Sequence, residues 1–197
     1  MNKYSRRSFI GTIGTTPLLF QASTAHSSTN KISIGISVTQ SAAEEYGSDG
    51  AMEISHIAES LFGDLSASAD LDIGPDSIVE MPDSEKWGFA RSLSWWRSNG
   101  GNYTDSNVLL LAESETNWGD TFGITRIDGQ YAVAKGYEYM NTDDRYKRVP
   151  LHEIGHNFGL EHEHGNLTDG VATIMVPRIT PYEADLSFSK ASRSQLL

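Results

Sequence analysis

Between Leu151 and His164 the chain reads LHEIGHNFGLEHEH, and within it His152, Glu153, His156, Gly159 and His162 take the spacing H-E-x-x-H-x-x-G-x-x-H. Two histidines four residues apart share one face of a helix, about 40° out of line, so both can grip one metal ion. Glu153 follows the first histidine and points about 100° away from it, beside the metal rather than onto it. That is the position of a base acting on metal-bound water. Gly159 is where the helix can stop, because glycine takes the left-handed conformation of a helix end without steric cost. The chain can then turn back and bring His162 up as a third ligand. Three neutral imidazoles leave one position of a tetrahedral Zn²⁺ open for water, the catalytic rather than the structural arrangement.

The competing reading is a surface helix with satisfied histidines. Four of the chain's six histidines lie in this one stretch, which a neutral surface has little reason to do. His164 falls outside the spacing and reads as solvent-facing. The stretch resembles the zinc-binding signature of the metzincin metallopeptidases. Within that clan, His156 to His162 is most similar to the adamalysin (reprolysin) pattern H-N-L-G-x-x-H, with Glu163 where that family usually has Asp.

The resemblance implies a zinc-dependent endopeptidase that hydrolyses peptide bonds through a zinc-activated water, with Glu153 as general base and a protein or peptide as substrate. It also implies that Ala172-Thr173-Ile174-Met175 is the Met-turn, whose Met175 thioether floors the metal site without binding it. Gly123, Ile124, Thr125, Arg126 and Ile127 look like the edge strand that metzincins offer to substrate, where an extended peptide can add as a further strand. Leu186 to Ser192 resembles the adamalysin F-S-x-C-S segment, with Ala191 in place of cysteine. The likeness runs by motif over 108–197, and over 31–107 only by element order. Calcium is common in secreted relatives and is a second candidate cofactor, but no EF-hand-like spacing is present and pairs such as Asp143-Asp144 read as solvated. Tyr182 has the wrong spacing from Met175 for the zinc-proximal tyrosine of astacin-like relatives. Two alternatives stand beside the peptidase: an exported zinc- or peptide-binding domain without catalytic activity, against which the retention of Glu153 argues, and a domain in which zinc only stabilises the fold, which a fourth ligand such as Glu161 or His164 would favour.

The elements that must position these residues follow from periodicity. Lys31 to Gln40 alternates, with Ile32, Ile34, Ile36 and Val38 on one face, as in a strand with one buried side. Residues 51–62 repeat Ile54, Ile57, Ala58, Leu61 and Phe62 at helical spacing. A second strand is Leu71 to Ile73 or Ser77 to Met81, broken by the turn chemistry of Gly74-Pro75-Asp76. Glu85 to Ser98 carries Phe89, Ala90, Leu93 and Trp96 as a helix stripe, and its tryptophans read as core and rim packing. Val108 to Leu111 is apolar throughout, a central strand buried on both faces. Gly123 to Ile127 and Tyr131 to Ala134 flank an Asp128-Gly129 turn. Pro150 belongs at a first helical position, so the zinc helix is expected to run from Pro150 to Gly159. The fold class is α+β: a twisted mixed sheet of about five strands with two helices against it, then the zinc-site helix, the Met-turn and a C-terminal helix.

Residues 1–28 read as an export signal of the twin-arginine kind, with Arg6-Arg7 before a mildly apolar run, leaving 29–197 as one catalytic domain. The expected location is extracellular. Loss of residues 1–26 removes Lys3, Arg6 and Arg7 but no acid, so the formal net charge of −11 becomes −14. Such a surface repels phosphate, which argues against nucleic acid and anionic membranes as partners. With the full chain's six lysines, five once Lys3 is lost, against 26 acids it reads as salt-adapted. A monomer is expected. The absence of cysteine excludes disulfide stapling and latency through a cysteine-zinc switch.

Overall fold

The computed structural model describes residues 31–65, 69–82, 86–127, 129–177 and 183–196. The expected leader, Glu85, Asp128 and Tyr182 lie outside the described residues. Strand β1 (Lys31–Thr39) leads into helices α1 (Gln40–Tyr46) and α2 (Asp49–Leu65), then β2 (Asp70–Val79), α3 (Phe89–Asn99), β3 (Ser106–Leu111), β4 (Gly123–Ile124) and β5 (Tyr131–Lys135). These five strands form one mixed sheet in the order β2-β1-β3-β5-β4, parallel except for β4 at the edge. The step from β1 to β2 and the return across β1 to β3 run in opposite directions. Right-handed crossovers then put their helices on opposite faces.

The side chains of β3 show the two layers. Val108 and Leu110 join the core beneath α2, while Leu109 and Leu111 join the core beneath α3; the Val108–Leu111 run is buried as its apolar character predicts, and Ser106 and Asn107 are buried with it. Trp96 of α3 is fully buried and its Nε1–H donates to the Asn107 carbonyl at 3.0 Å. The tryptophans are therefore packing residues: Trp87 meets Trp95, and Trp96 meets Tyr131, both edge to face.

Four expectations about this half are corrected. The polar face of β1 is buried too. Each of its side chains has a partner: Ser33 Oγ accepts from Thr104 N–H, Ser37 Oγ donates to Asp76, and Thr39 Oγ1 donates to Glu115 at 2.6 Å. Gly74-Pro75 does not break β2, because β2 is an edge strand on which proline's missing N–H costs no ladder bond. An extra residue is absorbed by a bulge, with Ile36 opposite Pro75 and Val38 opposite Ile78. Helix α3 begins only at Phe89, and Phe89 and Ala90 are exposed, so its buried stripe is Ser92, Leu93 and Trp96. Gly123–Ile124 alone is strand in the stretch expected to extend to Ile127.

The second half hangs on helix α4 (Asp144–Asn157), which packs against β5 and β3 on the α2 side of the sheet. After it come a short three-stranded sheet, β6 (Leu167–Thr168), β7 (Val171–Ala172) and β8 (Glu183–Ala184), and helix α5 (Lys190–Leu196). Phe188 pins α5's entry into the core, edge to face with Phe62 at 5.7 Å. Trp96→Phe removes a buried hydrogen bond and part of a fully enclosed ring. It is expected to cost about 2 kcal/mol in urea unfolding with an unchanged m-value; a loss near zero would contradict this account of the second core.

Candidate metal centre

Helix α4 begins at Asp144 and carries Pro150 in its interior, contrary to the expected start at Pro150. The stronger start signal lies upstream, where the Asp143 carboxylate accepts from Arg145 N–H at 2.9 Å as the N-cap. Asp143 is therefore a structural group and not merely solvated. Asp144 holds Lys147 at 2.9 Å, and Lys147 also reaches Glu53 of α2 at 2.6 Å. Proline deprives the Tyr146 carbonyl of its usual helical donor. Burial of every residue from Lys147 to Asn157 offsets that loss.

The other end is as expected. Gly159 has φ 80°, its N–H donates to the His156 carbonyl, and Leu160 N–H donates to the Gly155 carbonyl. This 6→1 and 5→2 pair is the Schellman closure, which reverses the chain and carries Glu161 and His162 back over the helix.

The reversal brings the three expected imidazoles together. His152 Nε2 lies 3.1 Å from His162 Nε2, and His156 Nε2 lies 3.2 Å from the same atom. A tetrahedral ion at the usual Zn–N length of about 2.0–2.1 Å would place its nitrogens about 3.3 Å apart, so the spacing fits. The remaining nitrogens fix the tautomers: His152 Nδ1–H donates to the Ile174 carbonyl at 2.8 Å and His156 Nδ1–H to the Leu160 carbonyl at 2.6 Å. Both Nε2 atoms are thereby left unprotonated toward the centre, as ligands require. Among the described residues no fourth side chain completes the group. Glu161 is exposed, and His164 Nδ1, half-buried, accepts from Glu161 N–H at 2.7 Å.

Glu153 is 6 % exposed and makes no ion pair among the described residues. Its carboxylate lies against Gly123 of β4, where a β-carbon would fall 2.6 Å from Oε1. Only a residue without a side chain lets the edge strand come this close. Of the other expected edge residues, Ile124 pairs with Val133, Thr125 and Arg126 leave the ladder, and Ile127 is exposed. The strand stops because the Thr125 hydroxyl takes up the Tyr131 carbonyl at 2.7 Å and a tight turn closes from Arg126 to Gly129.

Sequence reasoning missed Asn157. Its Oδ1 lies 2.6 Å from the Thr125 hydroxyl and its Nδ2–H donates to Ser106 at 2.7 Å, which ties the end of α4 to the sheet beside the edge strand. Met175 is fully buried in a turn closed by Val176 N–H on the Thr173 carbonyl, and its sulfur occupies the space where a side chain at Gly155 would lie.

No family model matches the chain, and no curated protein does either. Among solved structures it is similar to the archaemetzincin of Methanopyrus kandleri, at 17 % identity and a TM-score of 0.48, over 87 % of this chain and 89 % of that one. It is also similar to the Archaeoglobus fulgidus archaemetzincin complexed with malonate, at 14 % identity and a TM-score of 0.45, over 84 % of this chain and 99 % of that one. A third likeness is to metalloproteinase-II of Bacteroides fragilis, at 16 % identity and a TM-score of 0.48, over 85 % of this chain but 52 % of that one.

Burial sets the protonation of the centre. It drives the His152 pKa down to about 3, helped by His156 and by the nearby Arg148 charge, and it lowers His156 and His162 as well. All three rings are neutral at pH 7. Burial pushes Glu153 up to about 8.

In the metal-free protein the histidines, lowered in the folded state, cost stability as pH falls below about 6.5. Glu153, raised in the folded state, is neutral and costless at pH 4.5. Its contribution is lost as pH rises toward about 8, at about 1.4 kcal/mol per unit. Urea unfolding with chelator present should therefore find Glu153→Gln as stable as wild type near pH 4.5 and several kcal/mol more stable at pH 8. Equal stabilities at pH 8 would contradict the burial of an uncompensated carboxylate. Gly155→Ala should cost about 1–3 kcal/mol by overpacking, and much less in a Met175→Ala background. An equal cost in both would show that the sulfur does not occupy that space.

Proposed function

We propose that this chain is a zinc-dependent endopeptidase of the metzincin kind, exported by the twin-arginine route and acting outside the cell as a monomer on proteins or peptides. One observation carries the reading: three neutral imidazoles, two buried and the third half-buried, aim Nε2 at one point, and a carboxylate that is not needed as a ligand stands next in sequence to the first of them. His152, His156 and His162 would hold the ion. Zn²⁺ there supplies a Lewis acid that acidifies water and polarises the scissile carbonyl.

The rest falls to the chain's own residues. Glu153 takes the proton of the attacking water on a carboxylate oxygen and returns it to the leaving amine. The backbone of β4 holds that carboxylate in place through Gly123. The free edge of β4 receives substrate backbone over a short length, Gly123–Ile124, and Arg126 and Ile127 flank it. Met175 serves as the Met-turn residue. The adamalysin-like order His156 to His162 supports that subtype, and the Arg6-Arg7 leader supports export. No calcium site is part of the proposal.

Purified mature chain loaded with zinc is expected to cleave unfolded casein and to lose that activity with a metal chelator. Glu153→Gln should keep one zinc per chain by metal analysis and lose about 10²–10⁴-fold in rate. Loss of zinc together with activity would make Glu153 a ligand, and retained activity would remove it from the reaction.

A further inference from the structure

The edge strand along which substrate is proposed to lie is only Gly123–Ile124, with Gly123 opposite Ala134 and Ile124 opposite Val133. So short a ladder does not hold itself in place. Its far end is secured by the Thr125 hydroxyl, which lies 2.7 Å from the Tyr131 carbonyl and 2.6 Å from Asn157 Oδ1. Its near end depends on Lys135.

Lys135 is the last residue of β5 and is 2 % exposed. Its backbone N–H donates to the Phe122 carbonyl at 2.8 Å, and its ammonium donates to the Gly119 carbonyl. One residue therefore grips both ends of the segment Gly119–Phe122 that feeds β4. Between those ends Asp120 and Thr121 are exposed, and Gly119, at φ 57°, sits in the turn closed by Thr121 N–H on the Trp118 carbonyl. The ammonium also lies over the Phe122 ring, 4.7 Å from its centre. Trp118, buried in the second core, moors only the start of the loop.

Stability does not account for the ammonium. The one carboxylate within ion-pair distance among the described residues, Glu113, stands 3.7 Å off and its side chain is half exposed. A buried ammonium so weakly paired is costly, and an apolar side chain of like volume in its place is often neutral or stabilising. What an apolar chain cannot do is donate to a carbonyl, and that directional bond is what fixes the loop.

We propose that Lys135 is a positioning residue for the reaction: through the Gly119–Phe122 loop its ammonium sets where β4 lies, and so sets the ladder offered to substrate backbone. It touches neither substrate nor the metal centre. This rests on the endopeptidase reading and adds to it what places the substrate. His152, Glu153 and His156 are carried by α4, so loss of the ammonium weakens the hold on substrate and leaves the chemical step in place.

The test is Lys135→Met in the zinc-loaded full-length mature protein. On an end-blocked hexapeptide cleaved near its centre, KM is expected to rise about 10-fold or more with kcat within about 3-fold of wild type. Amide exchange followed by mass spectrometry should quicken about 10-fold over residues 119–124 and stay unchanged over α4, with the urea midpoint no lower. A fall in kcat at unchanged KM would mark a structural loss of active molecules and overturn the proposal, as would unchanged kinetics or unchanged exchange over 119–124. Should Lys135→Met not fold, Lys135→Gln, neutral but still a donor on a chain one atom shorter, is expected to raise KM about 3-fold, and no rise would overturn the proposal. If wild type cleaves nothing, the peptidase reading fails by itself, and calorimetry of the same hexapeptide on zinc-loaded wild type and Lys135→Met decides the rest. Binding about 10-fold weaker in the variant supports the positioning role, and equal or absent binding overturns it.

Discussion

The centre depends on two hydrogen bonds from imidazole to backbone. His152 and His156 each spend Nδ1–H on a carbonyl, one from the Ile174 turn and one from Leu160 just past the end of the same helix. Each bond fixes a tautomer and a ring plane together, so Nε2 can face the centre as a bare ligand atom. Neither carbonyl is free to wander. Leu160 is held by the Schellman closure, and Ile174 by its own N–H on the Ser187 carbonyl and by the turn around it. The third ring, His162, arrives through that same closure. Helix end, chain reversal and metal geometry are one constraint seen at three scales.

The surroundings of the centre are arranged around what this constraint leaves uncompensated. A buried carboxylate without a cation and three rings crowded within hydrogen-bonding range are both unfavourable in the absence of an ion. Stability lost in the empty site becomes affinity in the filled one, since binding releases the strain of both. Two close approaches keep the geometry tight: the backbone of β4 against Glu153 through Gly123, and the Met175 sulfur against α4 through Gly155. Asn157 then ties the helix end to the sheet through Thr125 and Ser106.

How much of this the sequence shows depends on the range of the interaction. The ligand set and Gly159 are local, spaced by the helix itself, and the structure places them where the spacing does. The buried β3 run was legible for the same reason. Pro150 misleads because its penalty is a local average, whereas α4 is held by burial along the whole stretch from Lys147 to Asn157 and capped by Asp143. Gly74-Pro75 misleads similarly, since turn chemistry in isolation becomes tolerable edge-strand chemistry once β1 supplies the other ladder. The polar face of β1 looked solvated because its partners Thr104, Asp76 and Glu115 lie far along the chain. One miss was avoidable: Asp169-Gly170, both at positive φ, is the hairpin signal between β6 and β7.

The central claim is that three imidazoles close on one ion and leave it a free position. Zinc-edge X-ray absorption of the metal-loaded protein tests it most directly. The account predicts three imidazole nitrogens and one non-protein oxygen at about 2.0 Å, with outer-shell scattering from three rings. Four protein ligands, or fewer than three rings, would contradict it.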